Sequence, residues 1–562
     1  MLDASLHDSP VLRYEVEIID KPFRNFLQTA KVVFYDENRK KIDEIKYGCI
    51  EPQEIFAWID EGKEINLSGA YVKNFSLTDF RVEKGWDDSV FIKLNQFNAK
   101  KAFFDADVKS DFSFAEFLGS KTIFESAIFG NAGADFNNSN FGEGDAVFKK
   151  AKFGNGTINF QFANFGQGAI NFNNVCFGNG NVSFVSTGFG EGDVDFKNTI
   201  WGDGTVDFKF AKFSDGAISF ERARFGKGKK DFKNLEFGGG KIDFRRVDFN
   251  DGDVSFNGVE FGTGKVSFKS AVFGHGEVTF EETDFGNGEV LFDQVYFGSG
   301  KVSFKNAVGE VMSFRECPLN AFIDFRFSKC KKLDLSNTIV RDIIDLIPQD
   351  DKAHIAELIL VGMRILGRIF IDWRINNVFG IIYIQSDTTP WQKAEQFRIL
   401  KENFRNNGQY DDEDLSYIEF KRCQAKAQLL DAYQGSLKSK VYGYLRFSFQ
   451  RFIFDSIGHY ATNPTRVIYH MGFTFSLFSL LYYFITEYFP AFGTVATTLP
   501  AEYFHLHDFW NCFYYSAITF FTVGYGDYFA EGYLKFFAAL EGFTGVFLMS
   551  YFTVAFVRKI LR

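Results

Sequence analysis

A short segment near the C-terminal end of the sequence, TFFTVGYGD (519–527), combines residue types that could bind a dehydrated cation. Glycine alternates with other residues in its TVGYG part, and glycine adopts backbone conformations that other residues avoid. The successive carbonyl groups of Thr522, Val523, Gly524 and Tyr525 can therefore point in one direction. With the Thr522 hydroxyl, these oxygens can replace the water shell of a potassium ion. One loop supplies only part of such a ring, so this chemistry requires four copies of the chain.

Two long apolar runs flank this segment and predict the helices that hold it. Residues 467–489 and 533–557 are each long enough to cross the roughly 30 Å hydrocarbon layer of a membrane. Residues 508–521 are too few to cross, so they predict a re-entrant pore helix that leads into a filter at 522–527. Extended backbone at that depth is tolerated only where it lines a cavity or is buried in protein. We therefore assign residues 461–562 to one pore domain.

Basic residues next to the two runs predict their orientation. Arg466 precedes the first run, and Arg558, Lys559 and Arg562 follow the second. By the positive-inside rule both ends of the pore domain face the cytoplasm, and the expected location is the inner or plasma membrane. No arginine-rich helix precedes the pore, so we expect no voltage sensor.

A helical connector is predicted at residues 391–460. Apolar residues recur at helical spacing in three stretches, 391–407, 412–433 and 437–457. The third stretch mixes lysines and arginines with aromatic residues. It is either a basic amphipathic helix at the membrane surface or an ordinary packed helix.

The first half of the chain contains an internal repeat of twelve residues. An aromatic residue recurs at this period from Phe129 to Phe297, with Trp201 as the one substitute for phenylalanine, and a second series runs from Phe136 to Phe304. Gly-x-Gly follows most positions of the first series. The alternating spacing of five and seven residues resembles that of pentapeptide-repeat solenoids and predicts a right-handed β-helix.

The repeat leaves two coil lengths open. A coil of 24 residues would point four phenylalanines inward, to stack on those of the next coil, whereas a coil of twelve would enclose two rings in a narrow lumen. We favour 24 and expect the glycines to make the corners that need a positive φ. The solenoid is predicted at 66–345, between a β-rich cap at 1–65 and a second cap at 346–390. The apolar stretch 358–373 is interrupted by charges and predicts strands, not a membrane span.

Composition and motifs argue against several classes of function. The net charge of −10 gives no basic field for nucleic acid. Six cysteines without a CxxC pair suit a reducing compartment and argue against a zinc site. The glycine repeats lack the nine-residue period of calcium-binding repeats and the Gly-Lys-Ser/Thr of a phosphate-binding loop. No nucleophile motif is present, so we expect no enzyme and no cofactor other than the permeant potassium ion.

Residues 463–562 resemble two-helix potassium channels, because an outer helix, a pore helix, TFFTVGYGD and an inner helix follow one another. The wider chain resembles bacterial pentapeptide-repeat ion channels. Shared features are NFRNNGQYDDEDLSYIEFKR (403–422), GHYATNPTR (458–466) and ALEGFTGVFL (539–548).

This resemblance implies roles for individual residues. Thr522, Val523, Gly524, Tyr525 and Gly526 would form the selectivity filter. Asp527 would cap the outer mouth of the filter, and Thr519 would lie in the pore helix behind it. Some relatives have a glutamate where this chain has Ile518, so a carboxyl pair with Asp527 is impossible, and Tyr515 is the candidate to hydrogen-bond Asp527 instead. Gly542 falls at the gating hinge of relatives, with Gly545 one turn away.

Glu541 places a carboxylate inside the second run, beside the hinge. Intramembrane acids are usually functional and face protein or water. Alternatively, Glu541 hydrogen-bonds the pore helix of its own or a neighbouring chain. Both interpretations stay open at this point.

The sequence therefore predicts a homotetrameric, potassium-selective channel in a lipid bilayer, regulated by its cytosolic solenoid. An unidentified cytosolic ligand or protein at the solenoid would act through the connector, with joints at Gly408, Gly435 and Gly458. Alternatively, the solenoid only tethers the channel. The competing function is a membrane-anchored scaffold with a vestigial pore.

Overall fold

The computed structural model describes residues 13–36, 38–350, 352–498 and 508–561. Residues 1–12 of the predicted N-terminal cap and the predicted flanking charge Arg562 lie outside these ranges. The chain forms two compact units, Met1–Ser386 and Asp387–Arg562. Each unit is described by itself.

The first unit begins with an antiparallel sheet and two helices. The strands Arg13–Ile19, Gln28–Tyr35 and Lys41–Ile50 pair in sequence order. Helices follow at Pro52–Asp60 and Leu77–Lys84. The sheet then continues into the solenoid through a parallel pairing of Gly48 with Ala70. In sheet order, the remaining strands of this sheet are Ala70–Lys73, Phe103–Asp105, Ile128–Phe129 and Lys152–Phe153.

Each coil of the solenoid contains 24 residues in its regular part. Ile158 pairs with Val182 and Ile170 pairs with Val194, in parallel and in register. The 24-residue alternative is therefore correct and the twelve-residue coil is wrong. Because the period equals two repeats, equivalent residues of successive coils lie directly above one another.

Two long parallel sheets run along the solenoid. One has fourteen strands, namely Ile355–Ile359, Lys329–Asp334, Val308–Ser313, Glu289–Leu291, Val266–Ser267, Ile242–Asp243, Ile218–Ser219, Val194–Asp195, Ile170–Asn171, Asp145–Val147, Lys121–Ile123, Ile92–Asn98 and Glu64–Asn66, with Ala115–Leu118 paired to Ile92–Asn98. The other has twelve strands, namely Arg368–Phe370, Ile343–Asp345, Ile323–Asp324, Val302–Ser303, Val278–Thr279, Val254–Ser255, Lys230–Asp231, Val206–Asp207, Val182–Ser183, Ile158–Asn159, Ala134–Asp135 and Ser110–Asp111. Smaller sheets pair Lys212–Phe213 with Glu236–Phe237, and Ile339–Val340 with both Pro318–Leu319 and Arg364–Ile365.

The core of the solenoid consists of stacked aromatic rings. Phe136 stacks on Phe160 at 4.7 Å between ring centroids, with 2° between the ring planes. The other three columns repeat this arrangement, as in Phe129–Phe153, Phe141–Phe165 and Phe148–Phe172. The predicted stacking of four phenylalanines per coil is thus confirmed.

The glycines of the repeat have a second structural role besides the predicted positive φ. A left-handed residue recurs every twelve positions from Asn138 to Asn306, with φ between 52° and 64°, and Gly258 is the one glycine among these positions. The Gly-x-Gly pairs lie where backbones stack: a Cβ on Gly180 would be 2.0 Å from the carbonyl oxygen of Gly156. Six of the twelve Gly-x-Gly copies between residues 142 and 300 have a positive φ at their first glycine, so the prediction holds for half of the copies, and close approach of successive coils is a second reason for the glycines.

Polar side chains of the repeat accept hydrogen bonds from backbone N–H groups. Asn155 Oδ1 accepts a hydrogen bond from the backbone N–H of Asn179, and Asn179 Oδ1 accepts one from Asp203, each at 3.1 Å. Asp195 similarly accepts from the N–H of Lys197 at 2.8 Å. Within the described ranges no group of three or more His, Cys, Asp or Glu side chains could hold a metal ion.

The solenoid ladder continues beyond the predicted boundary at residue 345. Leu358 pairs with Leu333, and Ile369 pairs with Ile344. The stretch 358–373 thus contains strands, as predicted, but they belong to the solenoid sheets themselves. A short helix, Val378–Tyr383, follows the last strand.

The second unit is helical. Its elements are three connector helices at Pro390–Asn406, Tyr410–Tyr433 and Leu437–Phe449, a π-helical segment at Gln450–Ser456, an outer helix at Pro464–Tyr488, a pore helix at Asp508–Phe520 and an inner helix at Leu534–Ile560. A capping box at Thr389 and Gln392 begins the first connector helix. Asn463 caps the outer helix by accepting from the N–H of Arg466 at 3.0 Å.

The third connector helix has no buried residue in this chain. It nevertheless packs against the second connector helix, because a Cβ on Gly443 would lie 2.4 Å from the Ala432 side chain, and the interpretation as an ordinary packed helix therefore stays open. Its position at a membrane surface stays a prediction.

Candidate functional site

The loop that follows the pore helix alternates its backbone conformation. Thr522, Gly524 and Gly526 have φ values of 55°, 60° and 79°, so every second residue is left-handed. A Cβ on Gly524 or Gly526 would meet no atom within 4 Å. These glycines are therefore required by their conformation and not by a lack of space within the chain.

Backbone hydrogen bonds join the start of this loop to the end of the pore helix. The N–H groups of Val523 and Gly524 both donate to the carbonyl oxygen of Ile518, at 2.8 and 3.2 Å. The N–H of Thr522 donates to the carbonyl of Thr519 at 3.1 Å. The pore helix thus fixes where the loop begins.

The side chains in the rest of the loop are exposed in the single chain. The Tyr525 side chain is 74% exposed and that of Val523 is 49% exposed, although both are apolar residues in a segment flanked by long apolar helices. Such exposure is a feature of surfaces that another element covers. A single chain leaves this loop incomplete.

A small two-stranded antiparallel sheet supports the outer end of the loop. The strands Val495–Thr497 and Tyr528–Ala530 pair antiparallel. The carbonyl of Asp527 accepts from the Thr497 hydroxyl at 2.9 Å and from the N–H of Thr498 at 3.0 Å. Residue 527 is thereby held directly after the left-handed Gly526.

The expected hydrogen bond between Tyr515 and Asp527 is wrong. The Tyr515 hydroxyl interacts with the side chain of Thr519 and the backbone of Ala530. The neighbouring Tyr514 supplies the hydroxyl that interacts with the Asp527 carboxylate. Adjacent residues of a helix point about 100° apart, so only one of the two tyrosines can face Asp527.

Glu541 joins three helices. Its Oε2 accepts from the Tyr482 hydroxyl of the outer helix at 2.7 Å, and its Oε1 accepts from the Ser516 hydroxyl of the pore helix. All three side chains are fully buried. Of the two interpretations of Glu541, the hydrogen bond to the pore helix of its own chain is confirmed. Sequence analysis missed Tyr482 and Ser516, because neither carries a recognisable motif.

The two glycines beside Glu541 differ in their surroundings. A Cβ on Gly545 would lie 2.0 Å from the carbonyl oxygen of Phe520, at the end of the pore helix, whereas one on Gly542 would lie 3.8 Å from that of Thr519. Gly545 therefore allows the inner and pore helices to approach closely. Gly542 has ordinary space around it, and its function as a hinge stays a prediction.

A polar network holds the second connector helix to the π-helical segment that precedes the outer helix. Arg422 of the second connector helix binds both oxygens of Asp455 in the π-helical segment, at 2.9 and 2.8 Å, and also Glu419 at 2.8 Å. The hydrogen bond with Asp455 raises the pKa of Arg422, whereas burial raises the pKa of Glu419. The geometry is a bidentate ion pair, the strongest form of this contact.

A left-handed turn connects this network to the inner helix. His459, Tyr460 and Ala461 have φ values of 48°, 56° and 61°. The Tyr551 hydroxyl of the inner helix accepts from the N–H of Ala461 and donates to the carbonyl of Phe454, each at 2.9 Å. Three consecutive non-glycine residues with a left-handed backbone are uncommon, and tertiary contacts such as these hydrogen bonds stabilise that conformation.

Gly458, predicted as a joint, is tightly packed. A Cβ there would lie 2.7 Å from the Val467 side chain and 2.8 Å from that of Tyr551. Burial, and then the nearby Arg466 and Arg422, lower the pKa of the adjacent His459. This turn is a fixed contact with the pore helices and not an open joint.

The end of the inner helix also contacts the connector. Arg558 pairs with Asp414 at 2.9 Å, and Lys559 pairs with Asp411 and Asp414 at 3.0 and 3.2 Å. Asp414 is buried, so these contacts are less screened than surface ion pairs. They connect the second connector helix directly to the last turn of the inner helix.

The outer and inner helices are the two helices of the described residues that are long and apolar enough to cross a membrane. Little of either is buried within the chain, unlike the core helix of a soluble protein. Residues 473–562 match the protein-family model described as "Ion channel". Neither the search of curated proteins nor the search of solved structures found a match to this chain. Residues 473–562 are therefore similar to ion channels, and this match and the two apolar helices support a membrane protein.

Proposed function

We propose that this chain, whose C-terminal segment matches an ion-channel family model, forms a potassium-selective channel. Four copies would surround one pore. The main-chain carbonyls of Thr522, Val523, Gly524 and Tyr525 would line the filter together with the Thr522 hydroxyl. The pore would conduct dehydrated potassium ions without a cofactor.

The observation that carries this proposal is the alternating backbone of the TVGYG loop. Left-handed residues at Thr522, Gly524 and Gly526 are what a row of carbonyls on one side of an extended loop requires. Selectivity for potassium over sodium is expected, because such carbonyls replace the hydration shell of potassium.

The fourfold assembly is supported by what the single chain leaves exposed. Tyr525 and Val523 are uncovered in one chain. A closed ring of identical contacts would cover each loop by its neighbour and complete the coordination shell. Non-helical backbone at membrane depth would then be buried in protein, as its polar groups require.

We further propose that the solenoid regulates the pore through the connector. The hydrogen bond from the Tyr551 hydroxyl to the carbonyl of Phe454 and the Arg558–Asp414 pair join connector residues to the inner helix. A ligand or partner that prefers one state of the solenoid would shift the pore between closed and open states by its difference in affinity. The positive residues at both ends of the pore domain support cytoplasmic termini in an inner or plasma membrane.

Potassium flux from liposomes tests the function. Liposomes that contain the purified full chain should release potassium down its gradient faster than empty liposomes. Flux equal to that of empty liposomes under every condition tested would favour the membrane-anchored scaffold. Deletion of residues 1–386 tests regulation, because an unchanged open probability of the remaining channel would mean that the solenoid only tethers it.

A further inference from the structure

An open cavity of about 530 Å³ lies where the first two connector helices meet the end of the inner helix. Its lining includes Lys401 and Arg405 of the first connector helix, Tyr410 and Tyr417 of the second, and Arg558 of the inner helix. We propose that this cavity, the tyrosine–cation cavity, binds a phosphate-bearing anion. Neither the filter nor the solenoid explains why cations and tyrosines line this cavity.

The first step is the balance of charge in the lining. Lys401, Arg405 and Arg558 contribute three positive charges, and Glu413 contributes one negative charge. Lys401 and Arg405 are four residues apart in one helix, so their side chains lie on the same face. Arg558 comes from a different helix. A ligand in the cavity would therefore meet cations from two sides.

The second step is what these cations already contact. Lys401 pairs with Glu402 at 2.9 Å and Arg558 pairs with Asp414 at 2.9 Å. Arg405 has no ion pair with any residue of the ranges that the structure describes. Its planar guanidinium is therefore available for the bidentate contact that phosphate groups favour.

The third step is the crowding of cations around one ring. The Tyr417 ring has the Arg558 guanidinium 4.4 Å from its centroid, with the ammonium groups of Lys401 and Lys421 at 5.8 and 5.7 Å. Lys421 donates to the neutral amide of Gln424 at 3.3 Å. A bound anion would interact favourably with all three of these cations.

The volume fits a phosphorylated small molecule, since ligand pockets of about 300–1,000 Å³ bind molecules of that size. The phosphate could belong to a soluble metabolite or to the headgroup of an anionic phospholipid. Because Arg558 lies in the last turn of the inner helix, either ligand would bridge the first connector helix and the inner helix. Only this effect on the pore rests on the proposed function; binding itself does not.

Binding is tested with two probes on the full-length chain. Tripolyphosphate, titrated calorimetrically in detergent, represents the soluble source. Nanodiscs of phosphatidylcholine with or without phosphatidylglycerol, read by thermal unfolding of the embedded chain, represent the lipid source. We expect saturable binding of tripolyphosphate, or stabilisation by phosphatidylglycerol, that weakens as the salt concentration rises.

The variant Lys401→Gln/Arg405→Gln should weaken this binding at least tenfold, because it removes two of the three lining cations. Lys426→Gln removes an exposed lysine of the second connector helix outside the cavity, and it should bind like the wild type. If the double variant is unstable, Arg405→Gln alone breaks no ion pair and should still weaken binding severalfold. The absence of saturable binding from both probes, or equal binding by wild type and cavity variants, would overturn the proposal. Potassium flux does not enter this measurement, so a failure here is distinct from a failure of the channel proposal.

Discussion

The solenoid and the pore unit differ in how far a single chain satisfies its own structure. In the solenoid, every regular coil stacks its phenylalanines and donates its backbone N–H groups to the next coil, as Phe160 does to Ser183 at 2.7 Å. In the pore unit, the TVGYG loop and both long helices expose apolar side chains. The solenoid therefore covers its own core within one copy, whereas the pore unit leaves apolar surface that a membrane and the proposed neighbouring copies would cover.

The largest effect is expected from Gly526→Ala. At a φ of 79° an L side chain is disfavoured by about 1–2 kcal/mol, and four copies would carry this strain at one filter. We expect the loss of potassium current with the fold of the chain retained. Single-channel recording measures the loss of current, and circular dichroism shows whether the fold is retained.

The matched control for this variant is Gly472→Ala in the outer helix. A Cβ there also meets no atom within 4 Å, but the backbone is helical. Alanine should be neutral or stabilise the helix by about 0.5–1 kcal/mol. Normal current from Gly526→Ala would show that the left-handed backbone of the loop is not needed for conduction.

A large loss of stability is expected from Phe208→Ala in the solenoid. Its ring is fully buried between those of Phe184 and Phe232, at 4.7 and 5.3 Å. Truncation of a buried phenylalanine costs about 3–5 kcal/mol. The control is Phe210→Ala, because that side chain is 51% exposed and should change stability little. Thermal unfolding of the full chain compares the two, and equal losses would contradict the stacked core.

A smaller effect is expected at Glu541, where substitution separates hydrogen bonding from charge. Glu541→Leu leaves the buried hydroxyl of Tyr482 without its partner, at a cost of about 1–3 kcal/mol, whereas the Ser516 hydroxyl can still donate to the carbonyl of Phe475 at 3.1 Å. Glu541→Gln keeps an acceptor and should restore most of the stability and the current. If Glu541→Gln conducts no better than Glu541→Leu, the negative charge of Glu541 is itself required. Its hydrogen bonds to the outer and pore helices would then not fully explain its role.

The smallest effect is a pH dependence at His459. Because its pKa is lowered, the unfolded chain binds a proton more readily than the folded one. The stability that neutral His459 contributes is complete above the ordinary histidine pKa of about 6.5 and is lost as the pH falls below it. We expect the melting temperature of the wild type to fall more between about pH 7.5 and 5.5 than that of His459→Asn.

Asparagine suits this comparison because it tolerates the left-handed backbone at residue 459 and offers a carbonyl to Arg466. The raised pKa of Glu419 acts in the opposite direction but is common to both proteins. Equal falls in melting temperature would show that His459 does not titrate in this range.

The sequence predicted much of the architecture, because periodic patterns determine it. The twelve-residue spacing of Phe136 and Phe148 indicated the stacked columns, and the apolar runs indicated the two long helices. The close contact between backbones at the glycines was not predictable, because the period alone does not tell which position has a left-handed conformation and which one lies against the next coil. Gly180 and Asn174 are distinguished only by their three-dimensional surroundings.

The contacts of the candidate site were less predictable. Glu541 stood out as an acid in an apolar run, but its partners Tyr482 and Ser516 lie 59 and 25 residues away along the chain. Tyr514 and Tyr515 could not be separated without the orientation of the pore helix. Long-range pairs such as Arg422 and Asp455 leave no periodic signal in one sequence.

The reversal potential of the reconstituted channel tests the central claim most directly. Purified full-length chain in a planar bilayer, with potassium and sodium in opposite gradients, should give currents that reverse near the potassium equilibrium potential. This result would follow from carbonyl coordination in the TVGYG loop. Reversal midway between the potassium and sodium equilibrium potentials, or near that of sodium, would contradict a potassium-selective filter at residues 522–526.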